Sequence, residues 1–289
     1  MLIDLQLHST YSDGYLTPTE LVKFIASQGV KVAALTDHNT VGGVEEFRQA
    51  CRKEKIKPII GVELYASLGS KRFNILWYNF NPECPQLHNM LRKTHIRRRQ
   101  QMRRILDKLV SKGFKIDVEK ILDQYNRYVP VNHVIDRILE NRDNLRKVKR
   151  ELGIASPREE DMINNYFRNP RIGVLQECFI DLEKILALKK EIGGQIVLCH
   201  PAKNGYVIRD FWTKLKKIGL DGAEIFSPHH SINGMLYMQQ LARDLDFIIT
   251  GGSDFHKPEG GGQPLQYSWQ YYKIDSQYLR GVKKIISTK

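Results

Sequence analysis

Histidines and carboxylates recur at the ends of apolar stretches in this chain. His8 and Asp13 follow the alternating run Ile3–Leu7, with Gln6 on the same face as His8. Asp37-His38 follow Val30–Leu35, Glu63 follows Pro58–Val62, His200 follows Gln195–Cys199, and Asp254-x-His256 follow Phe247–Thr250. Imidazole and carboxylate together suit Mn, Zn or Fe, and several such donors at different strand ends suggest more than one ion. Paired cations fit phosphoester hydrolysis, because they lower the pKa of a bound water and clamp the attacking and leaving oxygens. Taken singly these residues say little: a lone strand-end histidine is usually a hydrogen-bonded structural residue, and Asp13-Gly14 by itself is usually a turn. Their joint occurrence carries the argument.

The elements that must position them alternate between strand and helix. Thr17-Pro18-Thr19-Glu20 opens a helix with a capping box and a first-turn proline, and Leu21, Phe24 and Ile25 form its apolar stripe. Strands are expected over Val30–Leu35, Pro58–Val62, Phe73–Phe80, Gln195–Cys199, Gly222–Phe226 and Phe247–Thr250. Helices are expected near Val44–Glu54, Asp181–Ile192, Phe211–Ile218 and Gly234–Leu245. Such alternation predicts a parallel barrel or doubly wound α/β sheet, with the active site at the strand C-termini. The tail from Asp275 to Lys289 reads as a closing helix.

Residues 85–165 have another character. Leu87, Met90, Leu91, Met102, Ile105, Leu106 and Leu109 recur at helical spacing among basic residues, and Val118–Leu122, Val134–Leu139 and Glu159–Tyr166 read as shorter helices. We read this block as a basic helical subdomain inserted into a barrel formed by residues 1–84 and 166–289. The chain carries a net charge of +13, and from Arg92 to Arg150 there are 18 Lys/Arg against 7 Asp/Glu, an excess of 11. So concentrated a charge points to a phosphate-bearing substrate, although a basic helix is often only a solvated face. His88, His95 and His133 on these helices read as surface residues. Nothing here reads DNA sequence; a basic insert would follow backbone phosphates.

No basic segment leading into an apolar run opens the chain, and no apolar run approaches the ~20 residues of a membrane span. Cys51, Cys84, Cys178 and Cys199 show no C-x-x-C spacing, so neither a zinc knuckle nor a disulfide framework is expected, and a reducing cytoplasmic setting is.

Six blocks, LHSTYSDG (7–14), LTDHNT (35–40), GVE (61–63), IVLCHP (196–201), DGAEIFSPHHS (221–231) and TGGSDFH (250–256), resemble in order the motifs of the PHP (polymerase and histidinol phosphatase) family of metal-dependent phosphoesterases. The likeness is nearest to the bacterial branch acting on nucleotides and short oligonucleotides, and it covers nearly the whole chain. It implies a distorted (β/α)7 barrel with a helical insert over the active site, and a three-metal centre. By that resemblance one metal would take His8, Glu63 and Asp254, with Gln6 standing where the family has a histidine. A second would share Glu63 and take His200, with Asn74 again in place of a histidine. The third would take Asp13, His38 and His256. Gln6 and Asn74 are weaker ligands than imidazole, so one or two of the sites are expected to be weakened. His230 matches a histidine near the substrate phosphate, a contact or leaving-group acid preferred over His229, and Asp37 would orient a ligand.

The family's Arg-Pro-His segment has no equivalent in Tyr128–His133, which leaves Arg127, Arg168, Arg171 and Lys203 as candidate phosphate contacts. The expected activity is hydrolysis of a phosphate ester of a nucleotide or short oligonucleotide by a metal-bound hydroxide. The rivals are a histidinol-phosphate-type phosphatase and a degenerate member that binds nucleotide or nucleic acid without cleaving it. Oligomeric state is not legible.

Overall fold

The computed structural model describes residues 1–258 and 271–287. In chain order its elements are β1 (Leu2–Leu7), α1 (Pro18–Ser27), β2 (Val32–Leu35), α2 (Val44–Lys53), β3 (Lys57–Leu68), β4 (Lys71–Tyr78), α3 (Pro85–Ser111), α4 (Val118–Leu122), α5 (Val131–Glu140), α6 (Arg142–Leu152), α7 (Glu159–Met162), β5 (Arg168–Asn169), β6 (Gly173–Val174), β7 (Ile180–Asp181), α8 (Leu182–Ile192), β8 (Gln195–Leu198), α9 (Arg209–Ile218), β9 (Gly222–Phe226), α10 (Ile232–Asp244), β10 (Ile248–Gly251), β11 (Ile274–Asp275) and α11 (Lys283–Ile286). They form two compact units: residues Met1–His88 with Phe179–Lys289, and residues Asn89–Cys178.

In the first unit, nine of the described strands form one sheet in the order β10-β9-β8-β4-β3-β2-β1-β11, with β7 beside β3. The α1 helix forms where the sequence predicts: Thr17 accepts from the Glu20 backbone, Glu20 reaches back to Thr17, and Leu21, Val22 and Ile25 are buried. Its core joins Leu21, Val22 and Ile25 to Leu7, Leu35 and Phe47, so α1 and α2 cover one face of β1 and β2. Strands β1, β2 and β3 run parallel, as do β8, β9 and β10.

The alternation is not uniform. β3 and β4 are an antiparallel hairpin in which Leu68 pairs with Lys71 across a two-residue turn, and β4 is antiparallel to β8 as well. Gly69 occupies that turn at φ 59°, a left-handed conformation that costs glycine little. The tail is not one helix either: it adds β11 antiparallel to β1, passes through a short 3-10 turn, and ends in the four-residue α11, with residues 288–289 outside the described set.

The barrel nearly closes where the end of β10 meets β1. The His8 amide donates to the Phe255 carbonyl at 3.0 Å, and Leu7 bridges Phe255 in parallel. A Cβ on Gly252 would lie 2.4 Å from Gln6 Cβ, so only glycine permits this approach. Buried Asp4 ties the seam: its carboxylate accepts from the backbone amides of Gln6 (3.1 Å) and Ser253 (3.0 Å), from Ser253 Oγ (2.6 Å) and from the Tyr271 hydroxyl. Asp4→Ala would strand two buried amides, at about 1–3 kcal/mol each. It should therefore lower stability by about 2–5 kcal/mol in chemical denaturation, and a loss below 1 kcal/mol would contradict this role.

In the second unit, Met102, Ile105, Leu106 and Leu109 of α3 pack with Leu122, Val134, Ile135, Ile138, Val148, Tyr166 and Phe167. Because Tyr166 and Phe167 belong to this core, the unit runs to Cys178 rather than ending at residue 165. Helix α6 was not foreseen, since Val148 is its only buried apolar residue. Its caps were nevertheless in the sequence: Asn141 accepts from the Asp143 and Asn144 amides, and Gly153 ends it at φ 67°. Arg98 is buried here, donating to the Val129 carbonyl (2.7 Å) and Glu177 (2.6 Å) and lying over the Tyr128 ring. His95 and His133 are half-buried rather than on the surface, whereas His88 is exposed.

Candidate metal centre

The ends of β1, β2, β8 and β10 deliver their polar residues to one largely buried cluster in the first unit, and Glu63 joins them not from a strand end, as the sequence suggests, but from midway along β3, which runs on to Leu68. A Cβ on Gly14 would lie 2.3 Å from the His8 carbonyl oxygen, so glycine lets the loop after β1 fold back and set Asp13 beside His8. Asn39, His200 and Asp254 follow β2, β8 and β10 at φ 51°, 24° and 51°, left-handed conformations that side-chain-bearing residues seldom adopt and that gather at functional sites.

His8 is at the centre. Its Nε2 lies 3.2 Å from both Glu63 Oε2 and Asp254 Oδ1, and its Nδ1 lies 3.5 Å from Asp13 Oδ1. Asp13 also faces His38 Nε2 at 3.6 Å and His256 Nε2 at 3.3 Å, and the His8 and His256 rings stack at 4.2 Å. Glu63 Oε1 faces His200 Nε2 at 3.4 Å and His38 Nδ1 at 4.0 Å. All seven residues expected as imidazole or carboxylate ligands therefore converge.

Their charges are coupled. Burial opposes ionisation of Asp13, Glu63 and Asp254, yet neighbouring imidazoles and Lys203 hold all three well below the usual carboxylate range: His256 and His38 act on Asp13, His38 and hydrogen bonding from His200 on Glu63, Lys203 and His256 on Asp254. Burial likewise disfavours protonated His8, but Asp254, Glu63 and Asp13 overcome it and raise His8 well above its ordinary value; Asp13 raises His256. At His38 burial prevails and the pKa falls.

Among the described residues, three sets of donor atoms could each hold a cation, every set with its atoms within 4.8 Å of one another: His8, Asp13, His38 and His256; His8, Glu63 and Asp254; and Glu63, Cys199 and His200. Both His8 nitrogens, the Gln6 amide oxygen and His200 Nδ1 are buried without a hydrogen bond of good geometry. Buried nitrogens crowded by carboxylates, without hydrogen bonds of good geometry among the described residues, fit divalent cations. A cation taking His8 must displace its proton. Metal uptake near neutral pH should therefore release protons and strengthen as pH rises. Calorimetry in buffers of different ionisation enthalpy would read this, and a buffer-independent heat would contradict it.

The two amides turn their nitrogens toward Glu63. Gln6 Nε2 donates to Glu63 Oε2 at 3.0 Å, and Asn74, on β4 diagonally across from Glu63, donates its Nδ2 to Glu63 Oε1. Each thus supplies to Glu63 the positive end of a dipole, at a position where the sequence suggests a weak amide ligand.

Other candidates fall elsewhere. Asp37 does not bond a ligand side chain; it accepts from the Ser9 amide and hydroxyl (both 2.7 Å) and from Ser12 Oγ (2.6 Å), and so orders the loop that carries Asp13. His230 is buried, its Nδ1 donating to the Ile225 carbonyl at 2.7 Å, its Nε2 without a partner and its pKa lowered by burial. Its neighbour His229, set aside on sequence, is the one that reaches the cluster: Nε2 lies 2.6 Å from Asp254 Oδ2, and Lys203 Nζ stands 3.5 Å from the same oxygen. Lys203 is the one candidate phosphate contact in the first unit. Arg127, Arg168 and Arg171 are exposed residues of the second.

Reading the sequence also missed Cys199 and Glu224. Cys199 Sγ lies 3.2 Å from Gln6 Nε2, 3.5 Å from Glu63 Oε1 and 3.8 Å from Glu224 Oε2, and Glu224 accepts from the His200 amide at 2.9 Å. The signal was available: Cys199 directly precedes a candidate ligand.

The chain is 27% identical over 260 residues to a 5'-3' exoribonuclease of Haemophilus influenzae, covering 89% of this chain and 90% of that one. It is also 27% identical to a 3',5'-nucleoside bisphosphate phosphatase of Chromobacterium violaceum, covering 92% and 91%. A solved chain from Bifidobacterium adolescentis, to which metal-dependent phosphoesterase activity is ascribed, shares the fold with a TM-score of 0.79 at 21% identity, covering 99% of this chain and 95% of that one. The family model described as PHP domain matches residues 4–230, and the chain belongs to that family.

Proposed function

We propose that this chain is a metal-dependent hydrolase of phosphate esters of nucleotides or short oligonucleotides. The observation that carries the reading is the convergence of His8, Asp13, His38, Glu63, His200, Asp254 and His256 in one largely buried cluster, six of them beyond the C-terminal ends of β1, β2, β8 and β10 and Glu63 midway along β3. His8, Glu63 and Asp254 would hold one cation, Glu63 and His200 a second, and Asp13, His38 and His256 a third. Bound there, cations such as Mn, Zn or Fe polarise a phosphoryl oxygen and acidify water.

The chain's own residues would supply the rest. Lys203, exposed enough to meet a ligand and paired with Asp254, would draw in a phosphate oxygen. His229, paired with the same carboxylate, would pass a proton to a leaving alkoxide. The relatives that act on nucleotides and RNA, together with the basic stretch from Arg92 to Arg150, favour a substrate with more than one phosphate.

The test is a panel of adenosine 3′,5′-bisphosphate, a 5′-phosphorylated short oligoribonucleotide and histidinol phosphate, with the protein stripped by chelator and then supplied with Mn, Fe or Zn. Metal-dependent product from a nucleotide substrate is expected. Preference for histidinol phosphate would contradict the substrate class. The amide nitrogens that Gln6 and Asn74 turn toward Glu63 favour one second reading, binding without cleavage. Oligonucleotide binding with no metal-dependent product would establish it.

A further inference from the structure

We propose that Cys199 is a metal ligand: with Glu63 and His200 it forms a thiolate-bearing cation subsite that compensates for the histidine replaced by Asn74. The inference rests on the metal-centre reading and adds to it a ligand of different chemistry.

Cys199 directly follows β8 and is 1% exposed. A buried free cysteine is ordinarily a small apolar filler. Here Sγ instead faces polar groups, with the Gln6 amide at 3.2 Å, Glu63 Oε1 at 3.5 Å and Glu224 Oε2 at 3.8 Å. The other three cysteines lie outside every donor set capable of holding a cation among the described residues. The sulfur, a Glu63 oxygen and a His200 nitrogen lie within 4.8 Å of one another, all on buried residues. Independently, among the described residues His200 Nδ1 and Glu224 Oε1 are buried without a hydrogen bond, so the two residues that neighbour the sulfur keep unused polar capacity.

The chemistry follows from the donor set. Asn74 donates its NH2 to Glu63, so without Cys199 this corner would offer one imidazole and one shared carboxylate oxygen. Addition of a sulfur makes three protein donors, the number typical of a zinc site that keeps one position open. Binding replaces the S–H bond by an S–metal bond, and the proton leaves to solvent, since a coordinating thiol is deprotonated outright. A thiolate selects softer ions, so this subsite would favour Zn2+ or Cd2+ over Mn2+, whereas His8, Asp13, His38 and His256 form a sulfur-free site.

Cobalt(II) reports directly on sulfur ligation, because a thiolate–cobalt bond adds a near-ultraviolet charge-transfer band that nitrogen and oxygen ligands do not give. The stripped full-length chain would be titrated with Co2+, with bound cobalt counted by elemental analysis. The expected result is a band that grows with cobalt binding, is lost in Cys199→Ser and Cys199→Ala, and survives in Cys51→Ser. Bound cobalt without the band in the unaltered chain would overturn the proposal and leave the metal centre standing. A band that persists in folded Cys199→Ser would overturn it as well. No bound cobalt at all would overturn the metal-centre reading together with this ligand. The unaltered chain decides the matter even if the Cys199 variants fail to fold.

Discussion

Asp254→Asn is expected to reduce phosphate-ester hydrolysis by about 10²–10³-fold with little change in fold. Asp254 is the carboxylate most connected to the reacting side of the cluster, facing His8 at 3.2 Å, His229 at 2.6 Å and Lys203 at 3.5 Å. Cation stabilisation of the developing charge is worth several kcal/mol, and losing about 3–4 of these corresponds to the stated factor. Asparagine is the informative substitution. It keeps the shape and an acceptor oxygen, and it tolerates the left-handed conformation at φ 51° that this position demands. Turnover measured by phosphate release, beside far-ultraviolet circular dichroism and a melting curve, would separate lost chemistry from lost structure. Hydrolysis within threefold of the unaltered chain would contradict the placement of this residue.

Glu63→Gln should act more broadly. Glu63 belongs to two of the three donor sets, so its loss should leave only His8, Asp13, His38 and His256 to hold a cation. Metal retained after desalting should fall to one equivalent or less. The metal-free protein should also weaken, because the carboxylate is wholly buried among imidazoles and amide donors. Removing one partner of such a buried pair costs about 3–5 kcal/mol. Folding holds Glu63 well below its ordinary value of 4.5. Its contribution is therefore complete above that pH and fades as pH falls through the folded-state value. The stability gap between Glu63→Gln and the unaltered chain should accordingly be widest near neutral pH and close in acid. A gap independent of pH, or unchanged metal retention, would count against the shared role.

Much of the fold and of the centre was legible because the relevant signals are local. The capping box of α1, the apolar runs of β2, β8 and β10, and the polar residues at their ends needed no tertiary information. What failed depended on pairing or on shape. Strand polarity is set by the partner, so the antiparallel course of β4 could not be read from Lys71–Tyr78 alone. Helix α6 buries too little apolar surface to announce itself by periodicity. The choice between His229 and His230 depended on how the chain turns after β9, where His230 is tied to Ile225 and His229 is left to face Asp254. The amides at Gln6 and Asn74 were visible, but not that both would donate to one carboxylate. Cys199 lay inside a recognised motif, and only the fold shows its sulfur among Gln6, Glu63 and Glu224.

The most direct test of the central claim is the number of metal ions per chain, by elemental analysis of untagged protein supplemented with Mn, Fe or Zn and then desalted. Two or three equivalents are expected, with the amides at Gln6 and Asn74 tolerated within a working centre. One equivalent or none would contradict it, and the cluster would then be that of a nucleotide-binding protein without hydrolysis.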